Sequence, residues 1–227
     1  MSKIKILIPV YNDWQSVFKL LENINAEVST LNYEFSVMIV NDASTESRPK
    51  FLFNLDNLKE IQIINMKKNK GHARCNAAGL KYFCEKENFD YIIPMDADGE
   101  DRPEELELLI GRLKDFPNSV ITANRIKRHE GPIFKFCYIS HKYLTYIFTG
   151  QSIGFGNYTC LPKSVVNEMI KEPATWSSFS GSLTKITKDR KFISSERGKR
   201  YFGPSKMSFI NLLKHSLSII TVFKTTL

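Results

Sequence analysis

Four short apolar runs constrain this chain more than any other feature; each is closed by a polar cluster and separated from the next by helical spacing. Lys3 to Pro9 is nearly continuous apolar sequence. Pro9-Val10-Tyr11-Asn12 then turns toward a helix expected over roughly Trp14 to Asn25, with Asn12 or Asp13 as its cap. Phe35 to Val40 repeats the theme and ends in Asn41-Asp42-Ala43-Ser44. Ile61 to Ile64 is followed by the polar stretch Asn65 to Gly71 and a helix expected over Ala73 to Glu87, in which Gly79 is a point of close packing. Tyr91-Ile92-Ile93-Pro94 runs into Met95-Asp96-Ala97-Asp98-Gly99-Glu100-Asp101. Strands without apolar-polar alternation are buried on both faces, as in parallel sheets. Alternating with helices, they imply an α/β, Rossmann-like, doubly wound and mostly parallel sheet with helices on both faces. Ligands of such sheets bind beyond the carboxyl ends of the strands, which is where all four polar clusters fall.

Asp96 and Asp98, one residue apart at a strand exit, supply hard oxygen donors suited to Mg2+ or Mn2+. Such ions take one or two protein carboxylates and fill their other positions with water and substrate phosphates, so a nucleotide diphosphate is the expected ligand. The competing reading is a helix start, since Asp101, Pro103 and Glu104 form a good one.

Ser119 to Ala123 reads as a fifth strand, after which the pattern loosens. Lys135 to Thr149 is aromatic-rich and helical in spacing, Gly150 to Gly156 reads as a loop, and Lys163 to Lys171 and Ser180 to Lys188 read as short helices. Lys206 to Phe223 is amphipathic, with Met207, Ile210, Leu213, Leu217 and Ile220 on one stripe. It is too interrupted by polar residues to span a bilayer; packing on its own domain or lying against a membrane are its two roles. With 227 residues, 42% of them hydrophobic and 25% charged, a single domain is expected. Its apolar opening is too brief for a signal segment, so a cytoplasmic location is expected. Neither Cys75, Cys84, Cys137 and Cys160 nor the four histidines show zinc or disulfide spacing.

The net charge of +8 is unevenly placed: from Arg125 onward 17 Lys and Arg face five acids, leaving 15 against 19 in residues 1–124. A basic half beside an acidic loop implies anionic partners: phosphates, nucleic acid or a membrane surface.

Several segments together resemble the inverting GT-A glycosyltransferases of family 2, in particular the bactoprenol glucosyltransferases and dolichyl-phosphate mannose synthases. Ile8-Pro9-Val10-Tyr11-Asn12 is similar to that family's opening nucleotide loop, and Val40-Asn41-Asp42-Ala43-Ser44 to its Asp-Asp-x-Ser turn, with Asn41 in place of the first Asp. Asn69-Lys70-Gly71-His72-Ala73-Arg74 resembles the loop before the second long helix, and Met95 to Pro103 the metal loop, with Glu100 where many members have Gln. Arg197-Gly198-Lys199-Arg200, Gly203 to Ser208 and His215 to Ser218 resemble the closing segment. Two departures stand out. Those relatives usually continue into membrane-spanning helices, and Gly154-Phe155-Gly156-Asn157-Tyr158 differs from the Asp-containing acceptor loop of the mannose synthases.

The resemblance implies transfer of a sugar from a nucleotide diphosphate sugar, with residues 1–124 holding the donor and 125–227 the acceptor. It implies a metal on Asp96, Asp98 and Glu100, and donor contacts from Pro9, Tyr11, Asn12, Asn41, Asp42, Lys70, Gly71 and Arg74. Arg125, Arg128, Arg197, Arg200 and Lys206 are the cations available for phosphate; with Asp98, Arg125 and Arg200 are the residues assigned to the reaction. A polyprenyl phosphate is the expected acceptor, at the inner face of a membrane, because a lipid phosphate needs no general base and the second half is poor in acids. Transfer to a glycan hydroxyl, with Glu196 or Asp189 as base, is the alternative. A nucleotidyltransferase would need a glycine-rich basic loop after the first strand, and a basic lipid- or nucleic-acid-binding module would leave the Asp-x-Asp unexplained; nucleic acid is not an expected partner.

Overall fold

The computed structural model describes residues 1–50, 54–127 and 154–203, and position 222. The helices expected over 135–149 and 206–223 lie outside the described residues, position 222 apart, as do Arg128 and Lys206.

Seven strands form one sheet in the order β3-β2-β1-β4-β6-β5-β7. They are β1 (Lys3–Val10), β2 (Glu34–Asn41), β3 (Leu58–Asn65), β4 (Tyr91–Pro94), β5 (Val120–Lys127), β6 (Phe155–Pro162) and β7 (Arg190–Glu196). The strands β1 to β4 pair in parallel, as do β5 and β7, and β6 is antiparallel to both β4 and β5. The sheet is therefore mostly parallel, and the carboxyl ends of β1, β2, β3, β4, β5 and β7 share one edge with the amino end of β6.

Side-chain alternation divides the interior into two layers. Ile4, Ile6 and Ile8 of β1 and Phe35, Val37 and Ile39 of β2 face α1 (Trp14–Glu27), which presents Trp14, Val17, Leu20, Leu21 and Ile24 at helical spacing. Leu7, Met38, Val40 and Ile92 face the opposite layer with Cys75, Leu80 and Phe83 of α2 (His72–Lys86). A Cβ on Gly79 would stand 2.3 Å from Leu7 Cδ1, so a larger residue there would separate α2 from the sheet. The shorter α3 (Leu106–Gly111) joins the α1 layer, and α4 (Lys163–Met169) and α5 (Phe179–Ile186) join the α2 layer. Helices thus cover both faces of the sheet, as expected for a doubly wound fold.

The sequence reading falls short where polar residues carry strand structure. Phe155 and Gly156, expected in a loop, begin β6, and β7 is an edge strand whose only buried residues are Ile193 and Ser195. Neither element contains an apolar run for periodicity to register. At the start of α1, Asp13 occupies the cap position but its side chain makes no capping bond; its carboxylate is instead 3.6 Å from Arg200.

Candidate active site

The loops at the shared sheet edge are tied to one another by side chains from the four polar clusters. Asn12 follows β1 with a left-handed φ of 50°, a conformation asparagine tolerates. Its N–H donates to Ser44 Oγ at 2.9 Å, and its Oδ1 accepts from Thr45 N at 2.8 Å, which joins the β1 and β2 exits. Asn41 donates to Asn65 Oδ1 at 2.8 Å, linking β2 to β3. Asp42, 4% exposed, accepts from Lys70 N at 2.7 Å and from Gly71 N at 2.8 Å through separate oxygens. The loop before α2 is thereby held to β2, and its next residue, His72, places Nε2 2.9 Å from Asp96 Oδ1. Pro9 lies at the end of β1, Tyr11 just beyond it is 42% exposed, and Arg74 points back to Lys70 O at 3.3 Å.

The Asp-rich loop turns on Gly99, whose φ of 87° favours glycine. Asp101 is 2% exposed, accepts Asp96 N at 2.9 Å and pairs with Arg125 of β5 at 3.1 Å. It is an internal brace rather than a helix cap; the 3-10 turn Pro103–Glu105 that follows has Arg102 in the cap position. Asp98 Oδ1 accepts Glu100 N at 2.9 Å, and Asp98 Oδ2 faces Arg200. Glu100 pairs with Arg197, whose Nε is 2.7 Å away.

Arg197 and Arg200 belong to a strap, residues 197–203, that leaves β7 and lies across this loop. Gly198 N donates to Glu100 O and Tyr201 N to Asp98 O, both at 2.9 Å. The approach leaves no room for side chains: a Cβ on Gly198 would stand 2.3 Å from Gly99 O, and one on Gly99 would stand 2.6 Å from the Tyr201 ring. A cavity of about 620 Å3 opens beside the strap, lined by residues that include Trp14, Phe18, Pro49 and Phe202 but neither Asp96 nor Asp98.

The family model described as Glycosyl transferase family 2 matches residues 5–162, well over half of the chain. The chain belongs to glycosyltransferase family 2. Solved structures share its GT-A fold at low identity. Glucosyl-3-phosphoglycerate synthase from Mycobacterium tuberculosis superposes with a TM-score of 0.67 at 10% identity, over 99% of this chain and 79% of that one. Mannosyl-3-phosphoglycerate synthase from Rubrobacter xylanophilus gives 0.65 at 11% identity, over 99% and 74%. The Pyrobaculum calidifontis mannosyltransferase PcManGT, in complex with GDP-Man and Mn2+, gives 0.55 at 17% identity, over 85% and 54%. The chain spans 59% of the 1–349 fragment of S. aureus TarS and 36% of TarS itself.

In this family 2 glycosyltransferase the loop carboxylates titrate apart. Burial, then the neighbouring Asp96, pushes Asp98 up to about 6 and Asp101 up to about 7. Burial would raise Asp96 too, but His72, with Arg125 and Asn157 behind it, outweighs this and holds Asp96 below the usual carboxylate range. Among the described residues no group of three or more His, Cys, Asp or Glu is arranged as a metal cage. Asp96, Asp98 and Glu100 instead turn toward His72, Arg200 and Arg197. The donor set still fits Mg2+ or Mn2+, which need only one or two carboxylates when phosphates complete the shell.

Three participants escaped the sequence reading. His72 and Asn157, whose Nδ2 is 3.4 Å from Asp96 Oδ1, approach Asp96 from α2 and β6, and Asp13 reaches Arg200 from the start of α1. The position of His72 directly after a glycine turn was the one local signal available.

Proposed function

We propose that this chain transfers a sugar from a nucleotide diphosphate sugar to an acceptor, with Asp98 and Asp96 holding Mg2+ or Mn2+ and Glu100 contributing directly or through water. One observation carries the reading: an Asp-x-Asp loop with four carboxylates at the carboxyl edge of a mostly parallel sheet, in contact with His72 at the β3–α2 connection and covered by an arginine-bearing strap. Structural neighbours in complex with Mn2+ and UDP or GDP-Man agree with it. The metal would offset the charge that grows on the leaving diphosphate. Tyr11, with its exposed ring, and the Pro9–Asn12 turn would contact the base and ribose. Asp42 and Asn41 would act mainly by fixing the loop that presents Lys70, Gly71 and Arg74.

The acceptor we assign is a polyprenyl phosphate, bound at the inner face of a membrane by residues from 125 onward. A phosphate oxygen is already an anionic nucleophile, and Arg197, Arg200 and Arg125 stand at the site with donors suited to it. From residue 125 onward acids able to serve a hydroxyl acceptor are scarce: Asp189 precedes β7, at the opposite end of the sheet, while Glu196 closes β7 directly before the strap. Among the described residues no helix is long and apolar enough to cross a membrane. Incubation with UDP- and GDP-sugars and Mn2+, offering undecaprenyl phosphate, dolichyl phosphate or oligosaccharides in turn, tests the assignment. Glycosylated lipid phosphate supports it. Transfer to oligosaccharide alone refutes the lipid acceptor, and Glu196 then becomes the base to replace.

A further inference from the structure

The strap places an arginine on the oxygen that a divalent ion would need. Asp98 Oδ1 is engaged by Glu100 N at 2.9 Å, and Oδ2, the remaining oxygen, is taken by the Arg200 guanidinium. The same guanidinium lies 3.9 Å from Glu100 and 3.6 Å from Asp13, so it serves acids from two different loops. Arg200 Nε is buried and has no hydrogen-bond partner among the described residues, so this pose leaves one donor of the guanidinium unmet while its Nη1 donates to Asp98. The other basic groups are placed differently: Arg125 braces the nearly inaccessible Asp101, His72 is fixed on α2 beside Asp96, and Arg197 pairs with Glu100.

We propose that Arg200 is the resident cation of the Asp98 site, displaced from Asp98 Oδ2 when Mg2+ or Mn2+ binds and kept within reach of the incoming diphosphate by its backbone neighbours. The proposal rests on the metal reading above. A guanidinium and a divalent ion cannot share one carboxylate oxygen at close range, because their like charges repel in a partly buried site. The strap need not leave with the side chain. Its ties, Gly198 N to Glu100 O and Tyr201 N to Asp98 O, are made by backbone alone. A tethered, displaced arginine then meets the anion that arrives with the metal, and its planar fork suits two phosphate oxygens. Metal by itself must break the Arg200 pair uncompensated and binds weakly; metal with a diphosphate regains an arginine contact and binds cooperatively. Linkage makes the coupling reciprocal.

The test is Mn2+ alone, titrated into the full chain with free Mn2+ followed by electron paramagnetic resonance. Arg200→Gln is expected to bind Mn2+ about tenfold more tightly than wild type, within the usual range of coupling between linked sites. Lys199→Gln, which removes the adjacent exposed charge, is expected to stay within about twofold of wild type, since screened surface charges contribute little. Equal or weaker Mn2+ binding in Arg200→Gln overturns the displacement while leaving the metal reading intact, because wild type would still bind. No Mn2+ binding by Arg200→Gln overturns the displacement, and no Mn2+ binding by wild type even with UDP or GDP present overturns the metal reading as well. A second measurement needs no variant: in wild type, Mg2+ should shift the Nε–H resonance of Arg200 and leave that of Arg125 in place. Bound Mg2+ with an unmoved Arg200 signal would also refute the exchange.

Discussion

His72 Nε2 lies 2.9 Å from Asp96 Oδ1, so the loop before α2 and the Asp-rich loop after β4 meet through one imidazole-carboxylate contact. Groups that hold a metal-ligating carboxylate in place typically change metal affinity 10- to 100-fold when removed. We expect His72→Ala to weaken Mn2+ binding by at least about tenfold by this rule. Isothermal titration calorimetry checks the shift, and His72→Gln, which keeps a donor at similar reach, is expected to recover part of it.

Asp42 organises the opposite side of the same loop. Both its oxygens accept backbone N–H groups, from Lys70 and Gly71, and the side chain is buried. In Asp42→Asn an amide NH2 would face one of those N–H groups. A buried donor left unpaired costs about 1–3 kcal/mol. A urea melt of Asp42→Asn should show a loss in that range, together with weaker nucleotide binding.

Ala43, next in the chain, holds a φ of 57°. A non-glycine residue there stores strain of order 1–3 kcal/mol, and such positions cluster at working sites. Ala43→Gly is expected to raise stability by up to about 1 kcal/mol and to loosen the turn, so that nucleotide affinity falls while the melting temperature rises.

The partly buried Lys5–Glu87 pair tests the sheet away from the chemistry. Lys5 Nζ on β1 is 3.0 Å from Glu87 Oε2, and Gln62 Nε2 is 3.0 Å from Oε1. Burial raises the Glu87 carboxyl, but the bonds from Lys5 and Gln62 outweigh this and leave it below its ordinary value. A carboxyl depressed on folding contributes stability above its unfolded value, and that contribution is lost as acidification carries pH down through the folded one. Glu87→Gln should therefore cost about 2 kcal/mol at neutral pH and flatten the acid limb of the stability profile. Melts from pH 7 down to about pH 3, spanning ordinary carboxylate values, measure both effects.

The first half of this fold was legible because its strands are buried on both faces: Ile4 to Ile8, Val37 to Val40 and Ile92 to Ile93 read as strands without ambiguity, and the polar clusters at their ends lie together in the structure. β3 was found but shortened, since Lys59 and Glu60 face solvent at the sheet edge. β6 and β7 were not found: Gly156, Asn157 and Thr159 interrupt the apolar residues of β6, serine and charged residues those of β7, and pairing with β4 and β5 makes them strands. The Asp-x-Asp was conspicuous as a cluster. What spacing alone could not show is that Asp101 faces inward to Arg125, or that Arg200, 102 residues beyond Asp98, closes on it.

The most direct test of the central claim is a thermal shift of the full chain with UDP and GDP, each with and without Mn2+, beside Asp98→Asn. A ligand at about 100 times its dissociation constant stabilises by about 2.7 kcal/mol, which for a chain of this size is a shift of several degrees. One nucleotide should raise the melting temperature of wild type only when Mn2+ is present, and Asp98→Asn, melting as wild type does without ligand, should show no shift. Equal metal-dependent stabilisation of Asp98→Asn would contradict the assignment of the metal to Asp98, and no stabilisation by any nucleotide with metal would contradict the nucleotide-sugar site itself.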